Sequence, residues 1–496
     1  MFGWDRNNNS IIAVVVWLLM VTNVWSMVVS TSKSNSNCFV GFDLGTSGIR
    51  VSVIDEEWEE LFSSSLPWKE YDDVNSWLDG THTLLERIPL TLRQQVQSIC
   101  VSGTSASCLL IDATTGQPTS RSKPRMYNYD VTTTEDGIRA MSILDTCAPE
   151  KHTTRATTSS LAKLLTWNQQ KNIDSKRERL VHQSDYISMK LLHHGRSLKC
   201  GSAEPPIEIT SDVHNCLKLG YNVLEDEWPE WMYENDKLMN DILNILPKQV
   251  ISPGQPMGTI SETLATEFQL PKNCVVVGGT TDSNAAFFAA ASPSKFQVGT
   301  AVTSLGSTLA MKQLSSTYLE DATCGIYSHL FPSTLGGDQQ KLWLIGGASN
   351  VGCAVLRQED YTTDELITLS QDIDPTQVSP LNYYPLAVAK GERFPVANPQ
   401  KVPLLEPKPE SRREYLHGIL QGIAKVEVKG FQTFVKMGAS LPTHVYTCGG
   451  GSQNSMWTTM RQFLLEQETN TPIPVSRAIN TEASYGAAIL ASATFL

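Results

Sequence analysis

Phe39-Val40-Gly41-Phe42-Asp43-Leu44-Gly45-Thr46-Ser47-Gly48-Ile49-Arg50-Val51-Ser52-Val53-Ile54-Asp55 is the stretch from which the rest of the chain can be read. An apolar run ends in an acid, a short polar turn follows, and a second run alternates apolar and polar side chains. That pattern predicts two antiparallel strands joined by a turn of glycines and hydroxyls. Gly45 and Gly48 give the turn backbone angles that other residues resist, so amide N–H groups can converge on an anion. Thr46 and Ser47 add hydroxyl donors, and Asp43 stands where its carboxylate could hold a hydrated Mg²⁺. An ordinary hairpin satisfies the same residues, so the choice depends on the surrounding chain.

The 496 residues leave room for two or three domains, each with its own core. Apolar residues are 41% and charged residues 18%, the balance of a globular protein. A net charge of −12 with no Lys/Arg run argues against a nucleic-acid partner. Ten cysteines without a CxxC pair or zinc-like His spacing read as buried or incidental thiols of a reducing compartment.

Upstream of the hairpin no charge occurs between Arg6 and Lys33, and Ile11–Met20 is almost wholly apolar. With the polar stretch Ser30–Asn37 behind it, this resembles the h-region of a signal peptide. A signal anchor competes, because the run extends to Val29 with only Thr22, Asn23 and Ser26 interrupting. Residues 1–37 are therefore set apart as a targeting segment, and the folded chain is expected to begin at Cys38.

Downstream, Leu61–Trp68 suits a third strand, and Asn75–Ile99 reads as a helix kinked at Pro89. Ile99–Ser107 is a short strand running into a polar turn, and Cys108–Asp112 is another strand. Helices are expected at Thr158–Gln170 and Leu180–His193. This is an α/β pattern. Cys274–Gly279 is a β-branched strand that runs into Thr280-Thr281-Asp282-Ser283-Asn284, with a small-residue helix from Ala285. An acid leaving a strand just before a helix is either an N-cap or a catalytic group.

A second hairpin, Val298–Met311, carries the turn Leu305-Gly306-Ser307-Thr308, which echoes Leu44-Gly45-Thr46-Ser47. Such turns are common, yet two of them, each near the start of a half, point to duplicated domains clasping one phosphate chain. A strand is expected at Lys341–Gly347, an ordered Pro- and aromatic-rich excursion at Pro380–Pro403, and the longest helix at Arg412–Met437. His444–Cys448 is a strand into Gly449-Gly450-Gly451-Ser452-Gln453-Asn454, followed by a helix containing Trp457. Glycines before a helix N-terminus let backbone approach a flat ligand or a phosphate. Glu482–Leu496 closes the chain as a helix with a small-residue face.

In this order the four stations resemble the FGGY carbohydrate kinases, over essentially Cys38 to the C-terminus. The resemblance is greatest to the xylulose-kinase-like D-ribulose kinases of plants and cyanobacteria. Thr158-Ser159-Ser160-Leu161-Ala162-Lys163, Ser211-Asp212-Val213-His214-Asn215 and Gly391-Glu392-Arg393-Phe394-Pro395 fit that branch.

The resemblance implies an α/β fold of two duplicated actin-like (ribonuclease H-like) ATPase domains, 38–290 and 291–496, with the active site in the cleft between them. It implies ATP and Mg²⁺ as cofactors and a small ketopentose as substrate. Gly45, Thr46 and Ser47 would cradle the β- and γ-phosphates, with Asp43 on the metal and beside the substrate. Gly306 and Ser307 would hold the same phosphates from the other side. Gly450, Gly451, Asn454 and Trp457 would form the adenine pocket. Asp282 would be the general base that takes the proton of a sugar hydroxyl.

Xylulose kinases carry Ser-Gly-Gln-Met-His where this chain has Ser102-Gly103-Thr104-Ser105-Ala106. Loss of the imidazole removes a hydrogen-bond partner for a sugar hydroxyl, which favours D-ribulose over D-xylulose. Ser105 and Ser107 become the candidate sugar contacts; ordinary strand-end serines would read the same way. A non-catalytic nucleotide-binding scaffold on the same fold is the alternative from another class. The mature domain is expected not to be membrane-embedded. The plastid, reached through the N-terminal segment, is the expected compartment, with a secretory-route, membrane-anchored or cytoplasmic placement as the alternative.

Overall fold

The computed structural model describes residues 37–119, 123–150, 152–170, 173–195, 206–233, 242–321, 323–336 and 341–495. Of the expected targeting segment only Asn37 falls within them. The opening hairpin forms as its pattern requires: Cys38–Leu44 (β1) pairs antiparallel with Gly48–Ile54 (β2), which pairs in turn with Glu60–Pro67 (β3). Val96–Gly103 (β4) returns parallel to β1. Beyond β4 the sheet is completed by Pro256–Thr259 (β5), Val275–Val277 (β6) and Thr280–Thr281 (β7), giving seven strands in the order β5-β6-β4-β1-β2-β3 with β7 also on β4.

The second half repeats this plan. Thr300–Leu305 (β8) and Leu309–Ser315 (β9) are its hairpin, Tyr327–Leu330 (β10) and Trp343–Ser349 (β11) extend it antiparallel, and His444–Cys448 (β12) and Val475–Arg477 (β13) add parallel strands. The order is β10-β11-β9-β8-β12-β13. Hairpin, antiparallel third strand and two parallel strands on the other flank thus occur twice, the arrangement expected of a duplicated α/β unit.

Two of the expected helices lose part of their stretch to a strand, and the closing one is confined to Ala483–Ser492. The stretch from Asn75 to Ile99 divides into a helix Val74–Arg87, a turn of helix Leu90–Arg93 and then strand β4. Pro89 cannot continue the first helix, and Val96 and Ile99 are buried on the sheet. Leu180–His182 belongs to a strand, Glu178–His182, because it pairs antiparallel with Cys108–Asp112; the helix begins only at Gln183.

The halves are locked together by two helices, Asp282–Ala291 (α1) and the closing Ala483–Ser492 (α4). A Cβ added to Gly486 would stand 1.8 Å from the Ala285 carbonyl oxygen, so only glycine allows the two to touch. Helix α4 lies on the first sheet, where Ser52 and Ser484 hydroxyls meet at 2.9 Å and Ser98 Oγ donates to the Ala491 carbonyl at 2.6 Å. One core therefore combines Phe39, Phe287 and Phe288 with Ile489, Leu490, Leu344 and Tyr446.

The second half has a polar pin of its own. Arg461, on Ser455–Thr469 (α3), donates through Nε and Nη2 at 2.6 Å each to Glu427, on Arg412–Lys436 (α2). Thr303 on β8 also donates to Glu427, and Arg461 donates to Thr447 on β12. Both ions are fully buried, so the pair is tolerable only because both carboxylate oxygens are matched. The 380–403 excursion is ordered around buried Glu392, which accepts from Ser349 and Tyr384 hydroxyls and from the Asn350 and Arg393 amides.

Cys100, Cys108, Cys216 and Cys274 are buried free thiols and Cys147, Cys324, Cys353 and Cys448 are partly exposed ones, in line with the reading of the cysteines as buried or incidental thiols. No described helix is long and apolar enough to cross a membrane.

Candidate active site

Strand register gathers the first set of residues. Asp43 on β1, Ser102 on β4 and Thr280 on β7 are paired neighbours in one row, so Asp43, the 103–107 turn and Asp282 leave the sheet at the same edge. In open α/β sheets the carboxyl ends of parallel strands are where ligands bind. The second sheet does the same: Ser304 pairs with Cys448, which brings the Gly306–Ser307 turn beside the Gly449–Gly451 loop.

Asp43 is buried, with Oδ1 taking the Ser102 hydroxyl at 2.9 Å and Oδ2 facing Arg50 Nη1 at 3.5 Å. Burial, reinforced by the nearby Asp282 charge, pushes its carboxyl up to about 7. The turn beyond it is closed by Gly45 N donating to Gly48 O at 3.0 Å, and the Thr46 and Ser47 side chains are exposed. No group of three metal-ligating side chains occurs among the described residues. One buried carboxylate repelled by a second suits a Mg²⁺ that arrives with its own phosphate and water ligands, and does not suit a cation held by protein alone.

Asp282 opens α1 and is partly exposed. The helix N-cap is Thr281, and the Asp282 carboxylate accepts the Ser283 amide at 2.6 Å. Burial raises its pKa, while the Ser283 amide and the charges of Lys312 and Lys218 lower it. Neither lysine is marked by its local sequence. Lys218 lies in a short 3₁₀ turn, Lys312 lies on β9, and only the tertiary fold brings them to Asp282.

The turn bearing Ser105 and Ser107 is tied down internally. Ser107 is fully buried, its hydroxyl 2.5 Å from Thr104 Oγ1, and the Thr104 amide and hydroxyl both donate to Gln183 Oε1. Fully buried Lys163 donates to the carbonyls of Ala106 and Met126, each at 2.8 Å. Ser107 thus shapes the turn, and Ser105 is the more exposed of the pair.

Gly306, Ser307, Gly450, Gly451, Asn454 and Trp457 all line one cavity of about 830 Å³ in the second half. Its apolar walls include Leu356, Tyr361, Leu366, Ile367 and Ile373. Within that set the roles differ. Asn454 caps α3 through the Trp457 amide and donates to Ser370, so its side chain builds the wall. Trp457 is buried and its indole donates to the Leu420 carbonyl, making it the floor. A Cβ on Gly451 would lie 2.7 Å from Leu305 and Trp457, whereas nothing stands within 4 Å of one on Gly450. Exposed Arg357, another residue without a local signal, donates to the Ser307 hydroxyl at 3.2 Å beside the turn. The cavity has the size and apolar lining of a small-molecule site with a few polar groups at one end.

No protein-family model matches the chain. Among solved structures it is similar to a xylulose kinase from Brucella ovis (18% identity, TM-score 0.72, covering 93% of this chain and 91% of that one). It is also similar to a xylulose kinase from Bifidobacterium adolescentis (16%, 0.71, 93% of each chain). A glycerol kinase from Plasmodium falciparum, solved with ADP, matches with 16% identity and a TM-score of 0.69 over 93% of this chain and 90% of that one. At such identities the likeness is one of fold: these sugar-kinase structures share this chain's mixed α/β architecture over nearly its whole length.

Proposed function

We propose that the protein is an ATP-dependent sugar kinase that phosphorylates the terminal hydroxyl of a ketopentose, with D-ribulose as the preferred acceptor. The observation that carries this reading is the pairing of two acids, Asp43 and Asp282, at the edge of one sheet with a nucleotide-sized cavity of about 830 Å³ at the matching edge of the other. Phosphoryl transfer needs positioning and charge neutralisation more than covalent help. Thr46, Ser47, Gly306 and Ser307 supply amide and hydroxyl donors to a phosphate chain, Gly45 shapes the turn by donating its own amide to Gly48, and the apolar cavity suits a purine. Mg²⁺, when bound, neutralises charge on the phosphates, and Asp43 is the residue that would hold it. Asp282 accepts the proton of the attacking hydroxyl; the loose transition state releases that proton late, so a carboxylate suffices.

D-ribulose over D-xylulose rests on Ser102-Gly103-Thr104-Ser105-Ala106, which has no imidazole to read a sugar hydroxyl. Ser105 is the proposed contact, with Ser107 holding the turn. Structures named as xylulose kinases share the fold, so D-xylulose is the competing acceptor. The plastid is proposed as the compartment from the signal-like residues 1–37 together with the resemblance to plant D-ribulose kinases, and imaging of the tagged full-length chain tests it.

The deciding experiment is ATP turnover by the purified protein with Mg²⁺ against D-ribulose, D-xylulose, L-ribulose, ribitol and glycerol. Preference for D-ribulose is expected; preference for D-xylulose would overturn the substrate assignment. ATP binding with no sugar-stimulated turnover would overturn the kinase itself. Asp282→Asn should lower kcat by roughly 10²–10⁴ while ATP still binds.

A further inference from the structure

Lys312 occupies an unusual place for a cation. It sits on β9, inside the second sheet, in register with Val302 on one side and Gly346 on the other. Its ammonium leaves that sheet for the first half of the molecule, where it donates to Ser283 Oγ at 3.2 Å and to Asn284 Oδ1. Those two residues follow Asp282 in the first turn of α1.

That turn lacks the usual fastening. Thr281 makes no side-chain cap bond, and Asp282 reaches its neighbour's amide instead. Asn284 is fully buried with its Nδ2 unpartnered, so its amide is oriented through the oxygen that Lys312 holds. The charged and titratable groups around the lysine are Asp282, Cys448 on β12, and the buried imidazoles His214 and His329. Around Asp282 stand Lys218, Asp43, Tyr71 and Tyr327 as well. Burial pushes the Lys312 ammonium down to about 7, against the pull of Asp282.

We infer that Lys312 is a positioning residue that reaches across from the second half to set Asp282 in place and in its charged form. This rests on the reading of Asp282 as the base. A lysine delivered by the second half to the turn that carries Asp282 makes the acid's placement and charge depend on the packing of the two halves.

The test is a ¹³C NMR titration of the Asp282 carboxyl in the full-length protein labelled with [¹³C]aspartate, its signal assigned by Asp282→Asn. Removing the cation in Lys312→Met should move the midpoint up by about 1 pH unit, since a nearby positive charge favours the carboxylate. Lys312→Arg should restore it. Lys312→Gln keeps a donor without the charge and replaces the Met variant if that one does not fold. The acidic limb of the kcat profile should move the same way, with KM for ATP unchanged. A midpoint that moves by less than about 0.3 unit in the neutral variants, where loss of an adjacent charge should move it by about 1, overturns the inference. If no sugar supports turnover the kinase reading fails, and the carboxyl titration still decides whether Lys312 acts on Asp282.

Discussion

His214 shows how one side chain can register the packing of both halves. Its ring lies between Thr280 Oγ1 and the Leu330 carbonyl, each at 2.7 Å, with Nε2–H donating to the carbonyl and Nδ1 accepting from the hydroxyl. Burial holds its pKa down to about 3, from an ordinary 6.5. Below the ordinary value the unfolded chain binds a proton that the folded one refuses, so this ring costs stability as pH falls through that window and nothing above it. His214→Asn should therefore flatten the fall in unfolding free energy between about pH 6 and 4, by up to about 1.4 kcal/mol per pH unit. Urea melts at several pH values check it, and an unchanged slope would mean the ring does not stay neutral. Glu427→Ala should be worse at every pH, costing about 3–5 kcal/mol, because it strands the buried Arg461 guanidinium; calorimetry measures it. The acids Asp43 and Asp282 are legible in the sequence because each leaves a strand beside a small polar turn. Lys312, Lys218 and Arg357 are not. Nothing next to them in sequence marks them, and their meaning arises from partners tens of residues away or more.

At the level of elements, the hairpins, the order of stations and the long helix α2 can be read directly, since apolar periodicity and Gly-rich turns are local signals. Sequence and structure part where tertiary pairing decides: Leu180–His182 has helix-compatible residues and is a strand because Cys108–Asp112 lies alongside. The glycine loop after β12 is a subtler case. Its three glycines look alike in sequence, yet Gly451 is required by internal packing and Gly450 faces open space. Gly451→Ala should cost about 1–3 kcal/mol by overpacking against Leu305 and Trp457. Gly450→Ala should change stability by less than about 0.5 kcal/mol and weaken ATP binding. Thermal melts and nucleotide titration on both variants separate the roles; equal losses of stability would refute the distinction.

For the whole molecule, duplication is legible in the echo of Leu305-Gly306-Ser307 on Leu44-Gly45-Thr46. The return of the closing helix to the first sheet is not, because a small-residue helix carries no address. Contacts such as Ser52 with Ser484 join residues 432 positions apart. A chain ending at Glu482 should therefore lose cooperative unfolding of the first half as well as the second. Scanning calorimetry of that truncation tests this, and a retained first transition would sink it.

The same helix has a consequence for synthesis. While the chain is still on the ribosome, the first sheet is made hundreds of residues before the segment that covers one of its faces. Phe39, Cys100 and Phe288 must wait uncovered until residues 483–492 have been made. The amino-terminal half cannot mature on its own schedule, and a pause in synthesis before residue 483 leaves an apolar face for chaperones to shield.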